Sequence, residues 1–495
     1  MSEITPVRQR GALLAINKAV ATSAGLIGPY IMGSQIQQSA SNAADGYASG
    51  FFVCGVVATV CGLVGTLFLR PERDLASFTA QTACEKSAAL SSSNGMARNL
   101  NEETSVGPLQ GFTIIEMAGI GPGPMCAMLM AQLGASVIRI DRPPSAAEDF
   151  PLAIENDFVA RGRRSIALNL KDPQAVGILL DLVARADALI EGFRPGVMER
   201  LGLGPDTCFA RNKRLVFGRM TGFGQEGPLA QAAGHDINYI SLTGALHAIG
   251  RHGERPVPPL NLVGDYGGGS LYLAMGMLAA LLRAERTGFG DVVDAAMVDG
   301  AASLMTLFYS LKANGRWTDE RGSNVLDGGA PWYDTYETKD GRYMAIGAVE
   351  PKFFAELARL IGLDEADVRS QYDTRHWPML RAKMTGIFAS RTRTEWQELL
   401  EGTDACATAV LSLSEAAMHP HMQSRGTFSA DANSPCPAPA PRFRNAGNAE
   451  LRRTVGPGAN TASVLSELGY SATQIEDLAR NGVIVCHNGP SPIAA

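Results

Sequence analysis

The stretch Phe112-Thr113-Ile114-Ile115-Glu116-Met117-Ala118-Gly119-Ile120-Gly121-Pro122-Gly123-Pro124-Met125-Cys126-Ala127-Met128-Leu129-Met130-Ala131-Gln132-Leu133-Gly134-Ala135-Ser136-Val137-Ile138-Arg139-Ile140-Asp141 reads as one strand-helix-strand unit. Phe112 to Met117 is a short apolar run and predicts a strand, Pro124 to Leu133 a helix, and Ala135 to Ile140 a second strand. The rhythm continues with a helix over Val176 to Ala186 and a strand over Ala188 to Glu191. Alternation of this kind predicts an α/β fold built on a parallel sheet.

The turn Gly119-Ile120-Gly121-Pro122-Gly123-Pro124 invites a dinucleotide-binding reading, with Asp141 closing the second strand. It fails on spacing. The fingerprint needs glycines at i, i+2 and i+5, and Pro124 stands where the third is required. Arg142 follows Asp141 at once and offers a cation instead of a ribose-binding acid. Further cations come in separate runs: Arg161, Arg163 and Arg164, then Lys171, then Arg194 in Glu191-Gly192-Phe193-Arg194-Pro195-Gly196. Runs placed beside strand-like segments converge at one edge of a parallel sheet, which suits an anionic ligand such as a nucleotide phosphate.

At 495 residues the chain holds two or more domains and a large core. Hydrophobic residues at 46%, charged residues at 19% and a net charge of −6 exclude a disordered chain and a basic nucleic-acid binder. Cys54, Cys61, Cys84, Cys126, Cys208, Cys406, Cys436 and Cys486 are scattered, without a Cys-x-x-Cys pair, which predicts reduced thiols and no zinc finger. His419-Pro420-His421 lacks an acidic or thiol companion and reads as a loop, so no metal is expected.

The first hundred residues have a different texture. Gly11 to Ile36 is mostly apolar, and Tyr47 to Leu69 is uncharged and long enough to cross a hydrocarbon core as a helix. Arg8, Arg10, Arg70 and Arg73 flank the pair, while Gln37 to Gly46 holds no Lys or Arg, so both ends would face the cytoplasm. A transmembrane hairpin is predicted over residues 1–74, followed by a Ser-, Ala- and Asn-rich flexible linker over 75–106. Gly25-Leu26-Ile27-Gly28-Pro29-Tyr30 and Leu69-Arg70-Pro71-Glu72-Arg73-Asp74 resemble the last two transmembrane helices of a major facilitator superfamily transporter. Two helices do not make a transport pathway, so the reading is membrane anchoring through residues 11–69, a partner-binding hairpin or a fusion remnant. The closing Ser491-Pro492-Ile493-Ala494-Ala495 is not a Ser-Lys-Leu address, and the expected location is cytoplasmic, tethered to the inner face of a membrane where the hairpin inserts.

Chemistry is concentrated at Gly234-His235-Asp236-Ile237-Asn238-Tyr239 and at Gly264-Asp265-Tyr266-Gly267-Gly268-Gly269. One imidazole and one carboxylate sit at glycine-bounded positions, where a side chain can face a cleft and a substrate can come close. Two such groups can flank one carbon, each acting as base in one direction and acid in the other.

Longer strings carry a resemblance. They are Glu116-Met117-Ala118-Gly119-Ile120-Gly121-Pro122-Gly123-Pro124, Arg139-Ile140-Asp141-Arg142-Pro143, Gly196-Val197-Met198-Glu199-Arg200-Leu201-Gly202-Leu203-Gly204-Pro205, Leu326-Asp327-Gly328-Gly329-Ala330-Pro331-Trp332-Tyr333, Gly347-Ala348-Val349-Glu350-Pro351 and Gly402-Thr403-Asp404-Ala405-Cys406. From Gly107 to about Ile484 the chain resembles the α-methylacyl-CoA racemases of the family III CoA-transferase (CaiB/BaiF) superfamily. The resemblance implies an isomerase of fatty-acid and lipid metabolism that interconverts (2R)- and (2S)-2-methylacyl-CoA thioesters, with CoA part of the substrate and no separate cofactor. His235 and Asp265 would be the paired acid and base, and Glu350 would assist the histidine. Arg142, Leu168, Asn169, Leu170, Lys171, Glu191, Arg194 and Gly234, His235, Asp236, Ile237, Asn238 and Tyr239 would contact CoA.

The implied fold is a large Rossmann-like domain and a smaller α+β domain in an interlaced homodimer. The boundaries would be 107–326 for the first part of the large domain, 327–413 for the small domain, 414–486 for the return and 487–495 for a tail. The alternatives are a family III CoA-transferase, in which an aspartate at the Asp265 position forms an aspartyl anhydride and the His235 position is usually aromatic, and a membrane-tethered CoA-ester-binding protein without turnover. The enolate oxygen would need preorganised donors, expected from backbone N–H groups of the glycine run or an adjoining helix start.

Overall fold

The structure, a computed structural model, describes residues 107–143, 157–429, 435–449 and 453–487; the expected hairpin over 1–74, the linker over 75–106 and residues 488–495 of the tail lie outside the described residues. Six short strands come first: β1 (Thr113–Met117), β2 (Ser136–Asp141), β3 (Arg163–Leu168), β4 (Ala188–Glu191), β5 (Val216–Thr221) and β6 (Asp291–Ala296). All six run parallel in the order β3-β2-β1-β4-β5-β6. The connection from β3 to β4 crosses over β2 and β1, which opens a crevice at the carboxyl ends of β1 and β4, the place where such sheets bind ligands.

Helices cover both faces. They include α1 (Pro122–Gln132), α2 (Pro173–Val183), α3 (Asp236–Ser241), α4 (Leu271–Thr287) and α5 (Met297–Leu304). Successive strand residues point to opposite sides, so Ile114, Val137, Ile190 and Val216 join one core with Met130 of α1 and Met277 of α4. Ile115, Ile138, Leu189 and Phe217 join the other with Ile178 and Leu182 of α2. Burial on both faces is why these strands read as continuous apolar runs instead of alternating ones.

The helix expected over Pro124 to Leu133 begins two residues earlier. Proline is tolerated in a first turn because its missing N–H would have no partner there, and Gly121 enters at φ 74, a left-handed conformation that favours glycine. The helix expected from Val176 begins at Pro173, where the Asp172 side chain accepts from the Gln174 N–H at 2.8 Å and caps the turn.

A second lobe carries an antiparallel sheet of β7 (Tyr333–Glu337), β8 (Tyr343–Gly347) and β9 (Ala407–Ala409). Helices α6 (Pro351–Ile361), α7 (Trp377–Phe388) and α8 (Arg393–Leu400) enclose its core, where Trp332, Phe354, Phe388 and Trp396 are buried. The chain then returns through α9 (Thr461–Leu468) and α10 (Ala472–Arg480) to β10 (Ile484–Val485), which pairs antiparallel with β3 at the edge of the large sheet.

Among the described residues, one helical run is long and apolar enough to cross a membrane: Leu262–Thr287, a nine-residue π-helix (Leu262–Ser270) continued by α4. Half of it is buried inside the protein. Its inner face, with Leu273, Met277 and Leu281, packs on the large sheet, so its apolar composition has a core explanation on that side.

Candidate active site

Asp265 lies in the π-helix, and His235 is the residue that opens α3. Helices with i→i+5 pairing are uncommon and occur disproportionately at functional positions. The two elements are joined by Asp236, the residue after the histidine. Its buried Oδ2 accepts the N–H groups of Gly264 at 2.6 Å and Asp265 at 2.8 Å. The His235 N–H in turn donates to Asn238 Oδ1 at 3.0 Å, fixing the first turn of α3. On the far side, a Cβ placed on Gly121 would stand 3.1 Å from Asp265 Oδ2, so the carboxylate abuts the turn between β1 and α1. Ser270 Oγ lies 2.9 Å from the Pro122 carbonyl and 3.1 Å from that of Asp265, which ties the π-helix to the same turn.

The Asp265 carboxyl is half-buried, and burial raises its pKa above the ordinary aspartate value. A hydrogen bond from Asn261 Nδ2 to Oδ2 at 3.1 Å opposes that rise, the Asp236 charge adds to it, and the nearby His235 imidazole again opposes it. A carboxyl held up in this way can carry a proton at higher pH than usual, which suits an acid that must also work as a base. His235 is exposed. The apolar side chains near the pair in sequence, Ile237, Leu260 and Leu262, are exposed as well, and so is Ile120, the residue before Gly121. Leu260 takes φ 58, unusual for a residue with a Cβ. A cleft of about 620 Å³ is lined by Arg251, Tyr333, Asp334 and Cys406 and includes neither His235 nor Asp265.

Glu350 stands elsewhere. It precedes α6 in the second lobe, exposed, and its charge acts on Cys406, while the charges acting on Asp265 are those of Asp236 and His235.

The expected CoA contacts divide by burial. Arg142 follows β2, Lys171 follows β3 and Arg194 follows β4, all exposed at the carboxyl edge of the sheet, with Asn169 and Leu170 half-buried beside Lys171. Three corrections apply to their neighbours. Leu168 has a fully buried side chain in the sheet core. Glu191 is buried and spends both oxygens within the protein, Oε1 on Arg219 at 2.9 Å and Oε2 on the Phe193 N–H at 2.7 Å, so it shapes the turn that presents Arg194. Asp236 is turned inward onto the π-helix.

Tyr239 is also buried; its hydroxyl donates to the Gly234 carbonyl and its ring meets Phe223 edge-on. Of the range 234–239, Ile237 and Asn238 are the exposed side chains beside His235.

The first arginine cluster is structural. The Arg163 side chain is fully buried with Nε 2.9 Å from Glu116 Oε2, Arg164 pairs with Glu467 at 2.7 Å, and Arg161 lies over the Phe158 ring. The glycine run is likewise not a set of donors facing the site. Gly268 and Gly269 are buried, their amides lie in the π-helical ladder, and a Cβ on Gly268 would fall 2.5 Å from the Ala301 backbone of α5. Glycine there permits close helix packing.

Asn261 was not singled out from the sequence. The signal was present in Asn261-Leu262-Val263-Gly264-Asp265, a polar residue four before the aspartate, but it becomes readable only once that segment is known to be helical. Among the described residues no cluster of His, Cys, Asp or Glu has the makings of a metal site, and His419 pairs with Glu401 at 3.0 Å.

Residues 109–461 match the family model described as CoA-transferase family III. Alpha-methylacyl-CoA racemase from Mus musculus is 43% identical over 378 residues, covering 76% of this chain and 97% of the mouse protein. The Homo sapiens protein of the same name is 42% identical over the same length and shares. Among solved structures, Rv3272 from Mycobacterium tuberculosis superposes with a TM-score of 0.61 at 28% identity, covering 72% of this chain and 98% of that one.

Proposed function

The chain belongs to CoA-transferase family III, and from that premise we propose that it is an acyl-CoA racemase that interconverts the 2R and 2S epimers of 2-methylacyl-CoA thioesters by moving the α-proton across the carbon. The observation that carries this reading is the approach of His235 to Asp265, with Asp265 held up in pKa by burial. For the 2S epimer His235 removes the α-proton, the thioester becomes an enolate, and protonated Asp265 delivers a proton to the opposite face. The 2R epimer reverses the roles. Each group therefore ends a turnover in the protonation state that the reverse reaction needs.

Enolate charge develops on the thioester oxygen and needs donors in place beforehand. In the first turn of α1, Pro122 and Pro124 have no N–H and the Met125 N–H bonds the Gly121 carbonyl at 3.2 Å, which leaves the Gly123 N–H, close in sequence to Gly121 and so to Asp265. It is the backbone donor of this mechanism, in place of the glycine run. Arg142, Lys171 and Arg194 hold the phosphates of CoA at the carboxyl edge of β2, β3 and β4, and the exposed Ile120, Ile237, Leu260 and Leu262 meet the acyl chain.

The site is open on its apolar side, whereas enolate chemistry requires water to be kept away. A second copy of the chain closes it. Leu271, Met275, Leu278 and Leu282 form an exposed stripe along α4, continued by Leu304 and Leu307. A helix apolar on both faces is one that is covered on both. In such a homodimer Glu350 of the partner subunit approaches His235 and holds the imidazole in its working tautomer. A chain that sediments as a monomer at micromolar concentration would remove this part of the reading.

The decisive experiment is proton NMR of a single-epimer 2-methylacyl-CoA in D₂O. Collapse of the 2-methyl doublet with approach to an epimer mixture supports racemisation. A second reading, CoA transfer, draws on Asp265 as a carboxylate able to attack a thioester. Acyl exchange with an added carboxylic acid, without α-proton exchange, would favour it.

A further inference from the structure

We propose that Asp236 is a positioning residue for the reaction: its buried carboxylate ties the residue following one base to the backbone of the other and so fixes the separation of His235 and Asp265. The inference rests on the racemase reading above and goes beyond it. Asp236 is only 5% exposed. One oxygen takes two N–H groups, those of Gly264 and Asp265, and the other, Oδ1, is buried without a hydrogen-bond partner. Leaving a carboxylate oxygen unpaired in the interior is costly, and a neutral acceptor would satisfy the same two donors at lower cost.

The geometry explains the location of that cost. The first N–H groups of the π-helix have no earlier turn to bond to, and its Asn261 N-cap supplies no side-chain cap. Asp236 caps it from another element. The fit is tight: a Cβ on Gly264 would stand 2.7 Å from Asp236 Oδ2 and 3.2 Å from Ile240, so the residue before Asp265 has to be glycine for the contact to exist.

A charge also does what a neutral cap would not. The titratable groups that share its surroundings are Asp265, whose pKa it raises, His235 on its own turn, and Tyr239. Charged groups on the other packed elements act elsewhere: Asp299 of α5 on Asp294, and His247 of the short helix Ala245–Ala248 on Asp319. On the helices that flank the π-helix, Cys126 of α1 is buried beside Glu116 and Arg163, and the Tyr272 hydroxyl of α4 donates to Ser303. The Asp236 charge therefore bears on the Asp265 proton and on the Tyr239 hydroxyl, of which Asp265 is the group in the reaction.

The test compares Asp236→Asn, which keeps an acceptor oxygen for both N–H groups and discards the charge, with Asp236→Ala, which leaves both unpartnered. The readouts are α-proton exchange and the pH profile of kcat/KM for a single-epimer 2-methylacyl-CoA. The expected result is a kcat loss of roughly 10- to 100-fold with KM within about twofold, larger for Ala than for Asn. The acid limb moves to lower pH in both variants, because removing a neighbouring negative charge favours the ionised form of Asp265. Should Asp236→Ala fail to fold, the near-isosteric Asn variant decides alone. A folded Asn variant with the parent kcat and an unmoved acid limb overturns the inference. If the parent protein itself exchanges no α-proton, the racemase reading fails first, and the two failures are distinguishable.

Discussion

Asn261 donates its side-chain N–H to Asp265 Oδ2 at 3.1 Å from one turn earlier in the chain, and so favours the ionised form of a carboxyl that burial pushes the other way. The two influences set where the acid gives up its proton. Replacing Asn261 with Ala removes the stabilising donor, so the Asp265 pKa rises and the acid limb of kcat/KM moves to higher pH, opposite to the shift expected of Asp236→Asn. A kcat loss of about tenfold accompanies it, since the carboxyl also loses its orientation. Steady-state kinetics across pH 4–9 reads both effects, and an acid limb moving downward would contradict the assignment of Asn261.

Asp265 should cost stability where it is ionised. Burial holds its folded-state pKa above the ordinary aspartate value. Below the unfolded value both states hold the proton and nothing is lost. As pH climbs through the folded pKa the native state must carry a partly desolvated charge, so stability falls over that window. Asp265→Asn should therefore abolish α-proton exchange while raising Tm at pH 7 more than at pH 4. Thermal unfolding at the two pH values, with equal or reversed increments, would reject this account of the carboxyl.

Legibility from the sequence followed the range of the interactions involved. The strand-helix rhythm around β1, α1 and β2 could be read because burial on both sheet faces leaves continuous apolar runs, and it placed Arg142, Lys171 and Arg194 at one edge before any topology was known. Arg163 could not be sorted from those cations: its partner Glu116 comes from a different strand, and a buried guanidinium looks in sequence like an exposed one. The glycine run reads in sequence as open backbone for a ligand, and its use in close packing shows only in the neighbouring Gly300 and Ala301 of α5. Asp236 was read as part of a contact segment with His235, although consecutive residues at a helix start point in different directions, one outward to solvent and one into the core. Glu350 was legible only by family resemblance, because it precedes α6 in the second lobe while His235 opens α3 on the large domain, and nothing in the sequence links the two.

Arg163 and Glu116 form a fully buried ion pair behind the site, with 0% and 1% of their side chains exposed. Arg163 also donates to the carbonyls of Val159, Arg161 and Pro124, the last in the first turn of α1, so it braces the turn against which Asp265 rests. Arg163→Met leaves Glu116 charged in the interior and should cost about 3–5 kcal/mol. The double change Arg163→Met with Glu116→Leu should recover part of that loss, as no unpaired charge remains. Denaturant titration of the three proteins checks the order, and additive losses in the double variant would show that the two side chains are not coupled.

The cations at the sheet edge should act on binding and leave chemistry alone. Arg194 follows β4 on a turn held by Glu191, and Lys171 follows β3, both exposed and remote in sequence from the two bases. Interactions with CoA phosphates are the same in the ground state and the transition state, so removing one raises KM and leaves kcat in place. Arg194→Ala should raise KM by about tenfold, with a weaker dependence of KM on ionic strength than the parent shows, since one screened charge pair is gone. Glu191→Gln provides the contrast. It loosens the turn without removing the cation, so it should raise KM by a smaller factor and keep the parent salt dependence. If Arg194→Ala instead lowered kcat at unchanged KM, the phosphate site would have to lie elsewhere on the sheet edge.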